Sequence, residues 1–228
     1  MSVLQAARAA GIRIPALCYL EGIQCIGACR VCLVEVEGAR ALAASCSTPV
    51  TPNMVVRTNS RRVREARRTV VELLLSEHAG DCTTCDRNED CELQQLAHEL
   101  GIRENRYEGE TAKAGKDLST PALVRDNSKC IKCRRCVSVC GEVQGVGALF
   151  PQGRGFDSVI GPAFARELAA VPCVQCGQCA AVCPVGAITE AQHIEKVWNA
   201  IDDPDMHVVV QTAPAIRAAL GECFGYEP

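Results

Sequence analysis

Large side chains are scarce in this protein: its 228 residues include one Trp, three Tyr and four Phe. Small modules so poor in bulky apolar groups lean on cross-links or metals, because burial alone leaves them marginal. No basic segment leads into an apolar run after Met1, where "SVLQAARAAGIRIP" follows, so nothing here marks the chain for export, and a cytoplasmic location is expected. No uninterrupted apolar run approaches the roughly 20 residues of a membrane span. A net charge of -3 gives no basic footprint for nucleic acid. Arginines do gather in "RTNSRRVREARR", but Val63, Ala66, Val70, Leu73 and Leu74 recur at helical spacing there, so they read as a solvated helix face. A Ser-His-Asp set, paired acids in a recognisable motif, a GxGxxG and a Walker loop are all missing, so no catalytic centre is visible.

What abounds is cysteine, seventeen in all. Disulfides, zinc and iron-sulfur clusters compete to explain them, and without an export signal metal binding outranks disulfides. The strongest pattern is an internal repeat, "CIKCRRCVSVC" at 130–140 and "CVQCGQCAAVC" at 173–183. Each is C-x2-C-x2-C-x3-C. Three thiolates within seven residues wrap a cube-shaped cluster but fit one tetrahedral zinc poorly, and in the bacterial ferredoxin arrangement the fourth Cys of each run ligates the other cluster. Cys130, Cys133, Cys136 and Cys183 would then hold one 4Fe-4S cluster, and Cys173, Cys176, Cys179 and Cys140 another. Cys183 is followed by Pro184 as the motif expects, whereas Cys140 is followed by Gly141, which reads as a change of turn and not of ligation.

Upstream, Cys18, Cys29, Cys32 and Cys46 are spaced C-x10-C-x2-C-x13-C, with small residues in "GACRVC" that let backbone amides approach the sulfurs. By spacing alone zinc stays open here; a dicluster ferredoxin in the same chain favours a 2Fe-2S centre. In "HAGDCTTCDRNEDC" the remaining trio Cys82, Cys85 and Cys91 needs a fourth ligand, and His78 stands four residues before the first. A cationic histidine in the last turn of a helix needs no metal, but it leaves three thiolates unexplained, whereas imidazole replaces cysteine at known iron-sulfur centres. His98, His193 and His207 lack such company and read as surface or structural. Cys25 and Cys223 read as small buried hydrophobes.

The fold class expected is α+β, in successive modules. Residues 1–60 carry a helix capped by Ser2 and stopped near Gly11, then strands at "VCLVEVE" and "MVVRT". A helical module at 61–103 has one helix over 61–79 stopped by Gly80 and a second at "CELQQLAHELG". Residues 104–128 are polar and aperiodic, a connector; 129–192 form the ferredoxin unit, whose "QGRG" reads as a hairpin turn. In 193–228, "HVVVQ" reads as a short buried strand and "APAIRAALGECFG" as a helix with Pro214 in its first turn. This last segment is expected to begin a further domain.

With four motifs in this order, the chain resembles the N-terminal iron-sulfur region of the iron-only (FeFe) hydrogenases, especially the large subunit of multimeric NAD(P)-linked and often electron-bifurcating enzymes. The residues that carry the resemblance are "CYLEGIQCIGACRVCLVEVEGARALAASC", "HAGDCTTCDRNEDCELQ", the paired runs and "VVVQTAPAIRAALGE". The first two also look like the large iron-sulfur subunit of respiratory complex I and of NAD-linked formate dehydrogenases. The resemblance implies a 2Fe-2S cluster in a β-grasp domain, incomplete here because an opening strand hairpin is expected before Ser2. It implies a 4Fe-4S cluster on His78, Cys82, Cys85 and Cys91, making one 2Fe-2S and three 4Fe-4S clusters in total. It implies a partner subunit with FMN and NAD(P), a small 2Fe-2S subunit, soluble ferredoxin as a further partner, and a catalytic H-cluster domain whose motifs are not in this chain. The same wire could serve a complex I-like, formate dehydrogenase or nickel-iron assembly, and a zinc-organised interaction protein stands as the reading of another class.

Overall fold

The first helix, α1 (Val3–Ala9), begins where the Ser2 hydroxyl accepts from the Gln5 amide and the Gln5 side chain returns to the Ser2 amide, a reciprocal cap. It ends as Gly11 turns left-handed at φ +72°. Val3 and Leu4 pack against an antiparallel sheet of β1 (Leu33–Val36), β2 (Ala43–Ala44) and β3 (Val56–Arg57) in the order β2-β1-β3. The computed structural model describes residues 1–109 and 115–226; residues 110–114, which fall within the expected connector, and 227–228 lie outside the described residues.

Next, α2 (Arg61–Ser76) starts on a Ser60 cap. The expected helix ran to 79, but α2 ends at Ser76 with Glu77 as its C-cap, so His78 stands just beyond the helix end. The Arg-rich face also differs from expectation. Arg67 is buried and donates to the carbonyls of Val31 (2.9 Å), Leu33 (3.1 Å) and Thr58 (3.3 Å), pinning the helix to β1, while Leu73 is exposed. A guanidinium has enough donors to satisfy three carbonyls at once, which makes its burial tolerable. A second helix, α3 (Glu92–Glu99), buries Leu93 and Leu96 against α2.

Part of the stretch read as connector is strand. β4 (Lys116–Asp117) pairs with β5 (Leu123–Asp126), and β5 pairs with β8 (Ile188–Glu190), an antiparallel sheet that brings the two ends of the cysteine-repeat segment together. Segments this short show no alternation, so only the distant partner reveals them. Between lie α4 (Arg135–Ser138), the hairpin of β6 (Phe150–Gln152) and β7 (Val159–Gly161) around left-handed Gly153 and Gly155, and α5 (Gln178–Ala181). α4 continues into a π-helical turn, Val139–Val143, through Gly141, whereas α5 halts before Pro184, which has no N–H to continue it.

Residues 1–191 form one unit and 192–228 a second. The second holds α6 (Ile194–Asp202) and α7 (Pro214–Cys223), the latter with Pro214 at its first position as expected. The expected strand at "HVVVQ" is absent; the segment is irregular, and no strand among the described residues pairs with it. A strand without a ladder partner leaves its amides unsatisfied.

Candidate metal centres

Cys18, Cys29, Cys32 and Cys46 sit at the junction of two apolar clusters, Cys18 and Cys29 in one and Cys32 and Cys46 in the other. All four are buried, with Cys18 beside Cys29 and Cys46, and Cys32 beside Cys46. Thiol hydrogen bonds from Cys29 and Cys46 hold Cys18 well below the usual thiol range, and one from Cys46 holds Cys32 at about 6; the donors Cys29 and Cys46 are driven up in exchange. Left-handed Gly27 and Arg30 curl the loop, and the Cys29 amide lies 3.5 Å from the Cys18 sulfur. Cys25 is not the buried hydrophobe expected: it is exposed, its thiol donating to the Cys46 carbonyl at 2.7 Å. Cys223 is likewise exposed, on a helix with no buried residue among those described.

His78, Cys82, Cys85 and Cys91 line one small cavity with Arg87 and Gly186. His78 stands just past α2, its N–H donating to the Leu75 carbonyl at 3.2 Å, and burial works against the cationic state that a helix-dipole role requires. Its Nδ1 is 2.9 Å from the Lys129 carbonyl, and burial lowers its pKa. A carbonyl only accepts, so Nδ1 carries the proton and Nε2 keeps a free lone pair, the state in which imidazole ligates metal.

The two ferredoxin runs are repeated in backbone as well as sequence. Lys132 and Gln175 have φ of 56° and 54°, and the next equivalent pair, Arg134 and Gly177, 63° and 76°. At the first of these turns the Lys132 N–H reaches the Cys130 sulfur at 3.4 Å, and outside the runs the Ala148 N–H, after left-handed Gly147, reaches Cys140 at 3.2 Å. One cavity is lined by Cys130, Cys133, Cys136 and Cys183, another by Cys140, Cys173, Cys176 and Cys179, so the fourth cysteine of each run stands with the other's three. Burial pushes Cys130 up to about 11, Cys133 to about 12 and Cys179 to about 11. Such thiols bind metal only by giving up their protons to it.

The groups are tied to one another by buried polar contacts that the sequence did not disclose. The Gln24 amide donates to the carbonyls of Cys18 (2.5 Å) and Cys133 (2.9 Å), and its oxygen accepts from Ser138 (2.7 Å). Arg87 Nη2 donates to the Cys183 carbonyl at 3.3 Å. His78 reaches Lys129, the residue before Cys130. Three routes thus converge on the Cys130 group.

Among the described residues no three His, Cys, Asp or Glu side chains gather around one point as ligands of a single ion do. Three of the four groups stand instead around cavities. Of the buried guanidinium Nε atoms, those of Arg87, Arg125 and Arg135 have no hydrogen-bond partner among the described residues; Arg87 lines the His78 cavity and Arg125 the Cys130 cavity. Cationic donors on thiol-ringed cavities fit anionic iron-sulfur clusters.

Three family patterns match along the chain: a 2Fe-2S iron-sulfur cluster binding domain over 1–61, the NADH-ubiquinone oxidoreductase-G iron-sulfur binding region over 67–106, and a 4Fe-4S dicluster domain over 129–187. The NADP-reducing hydrogenase subunit HndD of Solidesulfovibrio fructosivorans is 53% identical over the whole chain, which spans 40% of HndD. The mitochondrial NADH-ubiquinone oxidoreductase 78 kDa subunit of Candida albicans is 38% identical over 82% of the chain and 26% of its own length. The crystal structure of an NAD+-reducing [NiFe]-hydrogenase in the H2-reduced state contains a chain superposing with a TM-score of 0.77 at 34% identity, over 83% of this chain and 80% of that one.

Proposed function

The chain belongs to the family of iron-sulfur electron-transfer proteins found in NAD(P)-linked hydrogenases and respiratory complex I, and from that premise we propose that it is the electron relay of an NAD(P)-linked hydrogenase. The carrying observation is that the 53% likeness to the hydrogenase subunit extends over the entire chain, whereas the complex I likeness covers 82% of it. The ligands proposed are Cys18, Cys29, Cys32 and Cys46 for one 2Fe-2S cluster, and three sets for 4Fe-4S clusters: His78 with Cys82, Cys85 and Cys91; Cys130, Cys133 and Cys136 with Cys183; and Cys173, Cys176 and Cys179 with Cys140. Such clusters take up and release single electrons without breaking bonds.

This chain's residues supply spacing, charge and exclusion of water. Left-handed Lys132, Arg134, Gln175 and Gly177 fix where the thiolates stand, Lys129 fixes the tautomer of His78, and Gln24 holds two ligand loops together. A nicotinamide exchanges hydride, so a flavin on a partner subunit must divide the pair into single electrons. The partners proposed are therefore a cytoplasmic FMN- and NAD(P)-binding subunit, a small 2Fe-2S subunit and the hydrogenase active site. No helix among the described residues is long and apolar enough to cross a membrane.

The test is metal analysis with anaerobic EPR on the intact chain. About 14 irons, little zinc and one 2Fe-2S plus three 4Fe-4S signals on reduction are expected; stoichiometric zinc and no signal would overturn the reading. The likeness to the nickel-iron enzyme favours the same relay in that assembly as the second reading. The two separate by which hydrogenase subunit, iron-only or nickel-iron, co-purifies with the chain.

A further inference from the structure

The two ferredoxin runs share backbone geometry but not charge. At the three equivalent positions between the cysteines, the first run carries Lys132, Arg134 and Arg135 and the second Gln175, Gly177 and Gln178. The third dimension enlarges the contrast. Arg125, at the centre of the β4-β5-β8 sheet, lies with Arg134 in the lining of the Cys130 cavity, which includes no acidic side chain among the described residues. No charged side chain among the described residues lines the Cys173 cavity.

Arg125 is placed with care. Its side chain is 11% exposed, Nη1 donates to the Ile160 carbonyl at 3.0 Å, and Nη2 pairs at 3.2 Å with Asp117, its partner across the strands. Its Nε has no partner among the described residues. A Cβ on Gly161 would come within 2.9 Å of Nη1, so a larger residue there would displace the Arg125 guanidinium from its present position. Asp117 lies outside the cavity lining, which leaves the positive end of the pair toward the thiols. Lys132 pairs with Glu77 and Arg135 with Glu92, so the cations that line the cavity itself are Arg125 and Arg134.

Resting on the cluster assignment above, we propose that Arg125, with the first run's cations, makes the Cys130/Cys133/Cys136/Cys183 cluster the higher-potential member of the pair, and that its neutral-walled twin on Cys173/Cys176/Cys179/Cys140 is the lower. Reduction adds negative charge to an already anionic cluster, and nearby cations stabilise that charge. Solvent at exposed Cys176 offsets part of the gap, but it acts at one ligand of four, whereas Arg125 and Arg134 line the cavity that the first set shares. The group on which three polar routes converge is thus where an electron rests, and the twin is the more reducing end.

The experiment is an EPR-monitored redox titration of the iron-loaded full chain with the variants R125M, R125K, D117N and Q178R. In R125M one 4Fe-4S midpoint is expected to fall while the rest hold; R125K keeps it, and D117N, which removes the counter-charge, raises it. Q178R places in the second run the charge that Arg135 carries in the first, and should raise a different 4Fe-4S midpoint and narrow the gap. If R125M does not load with iron, D117N and Q178R decide alone. Unshifted midpoints in loaded R125M, D117N and Q178R, or equal shifts of both dicluster midpoints, would overturn the inference while leaving the cluster assignment standing. A wild-type chain without 4Fe-4S signals would sink the assignment itself.

Discussion

A Cβ placed on Gly186 would stand 2.6 Å from the sulfur of Cys85, closer than real Cβ contacts allow. Gly186 follows Cys183 by three residues, so the ferredoxin loop and the His78 group approach through a missing side chain. Gly186→Ala is expected to remove one 4Fe-4S signal and about four irons per chain while the other signals persist; full iron content with unchanged spectra would count against ligation by Cys85. His78 can be tested in both directions. His78→Ala should lose or shift one 4Fe-4S signal. His78→Cys should keep the iron and lower one 4Fe-4S midpoint, because a thiolate brings a negative charge where the neutral imidazole brought none; an unmoved midpoint in an iron-replete variant would argue that residue 78 is not a ligand. Both histidine variants follow from a sequence-level accounting of thiolates, but Gly186 was invisible there: its role is an absence opposite a residue about 100 positions away.

Among elements, α2 carries the most burial of charge. Glu72 is fully buried on it and receives Arg106, at 2.9 and 3.1 Å from Nε, and Arg68 from one turn earlier. The Arg106 hydrogen bonds hold the Glu72 carboxyl below the usual carboxylate range. A carboxyl depressed in the folded state contributes stability that is complete at neutral pH and lost as the pH falls through its folded value. Glu72→Gln should therefore cost about 1–2 kcal/mol at pH 7, since Arg68 and Arg106 are themselves partly exposed. That cost should shrink toward zero in acid below the ordinary carboxylate range, where Glu72 itself becomes neutral. Denaturation midpoints of both proteins across pH measure it, and a cost constant with pH would refute the pairing. Periodicity located this helix, yet misjudged its charged face. A pattern of apolar residues says which side is inward but not that an arginine or glutamate there will find carbonyls and guanidinium groups supplied by other segments.

Over the molecule, the cysteines are part of the core and not attachments to it. Cys18, Cys29, Cys91, Cys133, Cys136 and Cys183 belong to one buried apolar cluster with Leu93, Leu149 and Val185. Stripping iron with a chelator should abolish near-UV circular dichroism and raise protease sensitivity throughout residues 1–191, because binding and folding free energy are shared; a stripped chain that stays compact would contradict this. Arg135 joins three modules, donating to the Ala16 carbonyl at 3.1 Å and to both oxygens of Glu92 beside its own run. By itself the sequence determined the number and spacing of the cysteines, the repeat of the two four-cysteine runs, the histidine four residues before Cys82 and the hairpin at "QGRG". Each is set within a few covalently linked residues, where the chain has little freedom to choose otherwise. Only the tertiary structure decided that Gln24 joins Cys18 to Cys133, that Cys25 lies exposed, that β4 and β5 emerge from an apparent connector, and that Arg125 lines one cavity while no charged side chain among the described residues lines the other. Those outcomes depend on backbone carbonyls and cavities assembled from distant segments, and no local pattern encodes which partner a buried polar group will meet.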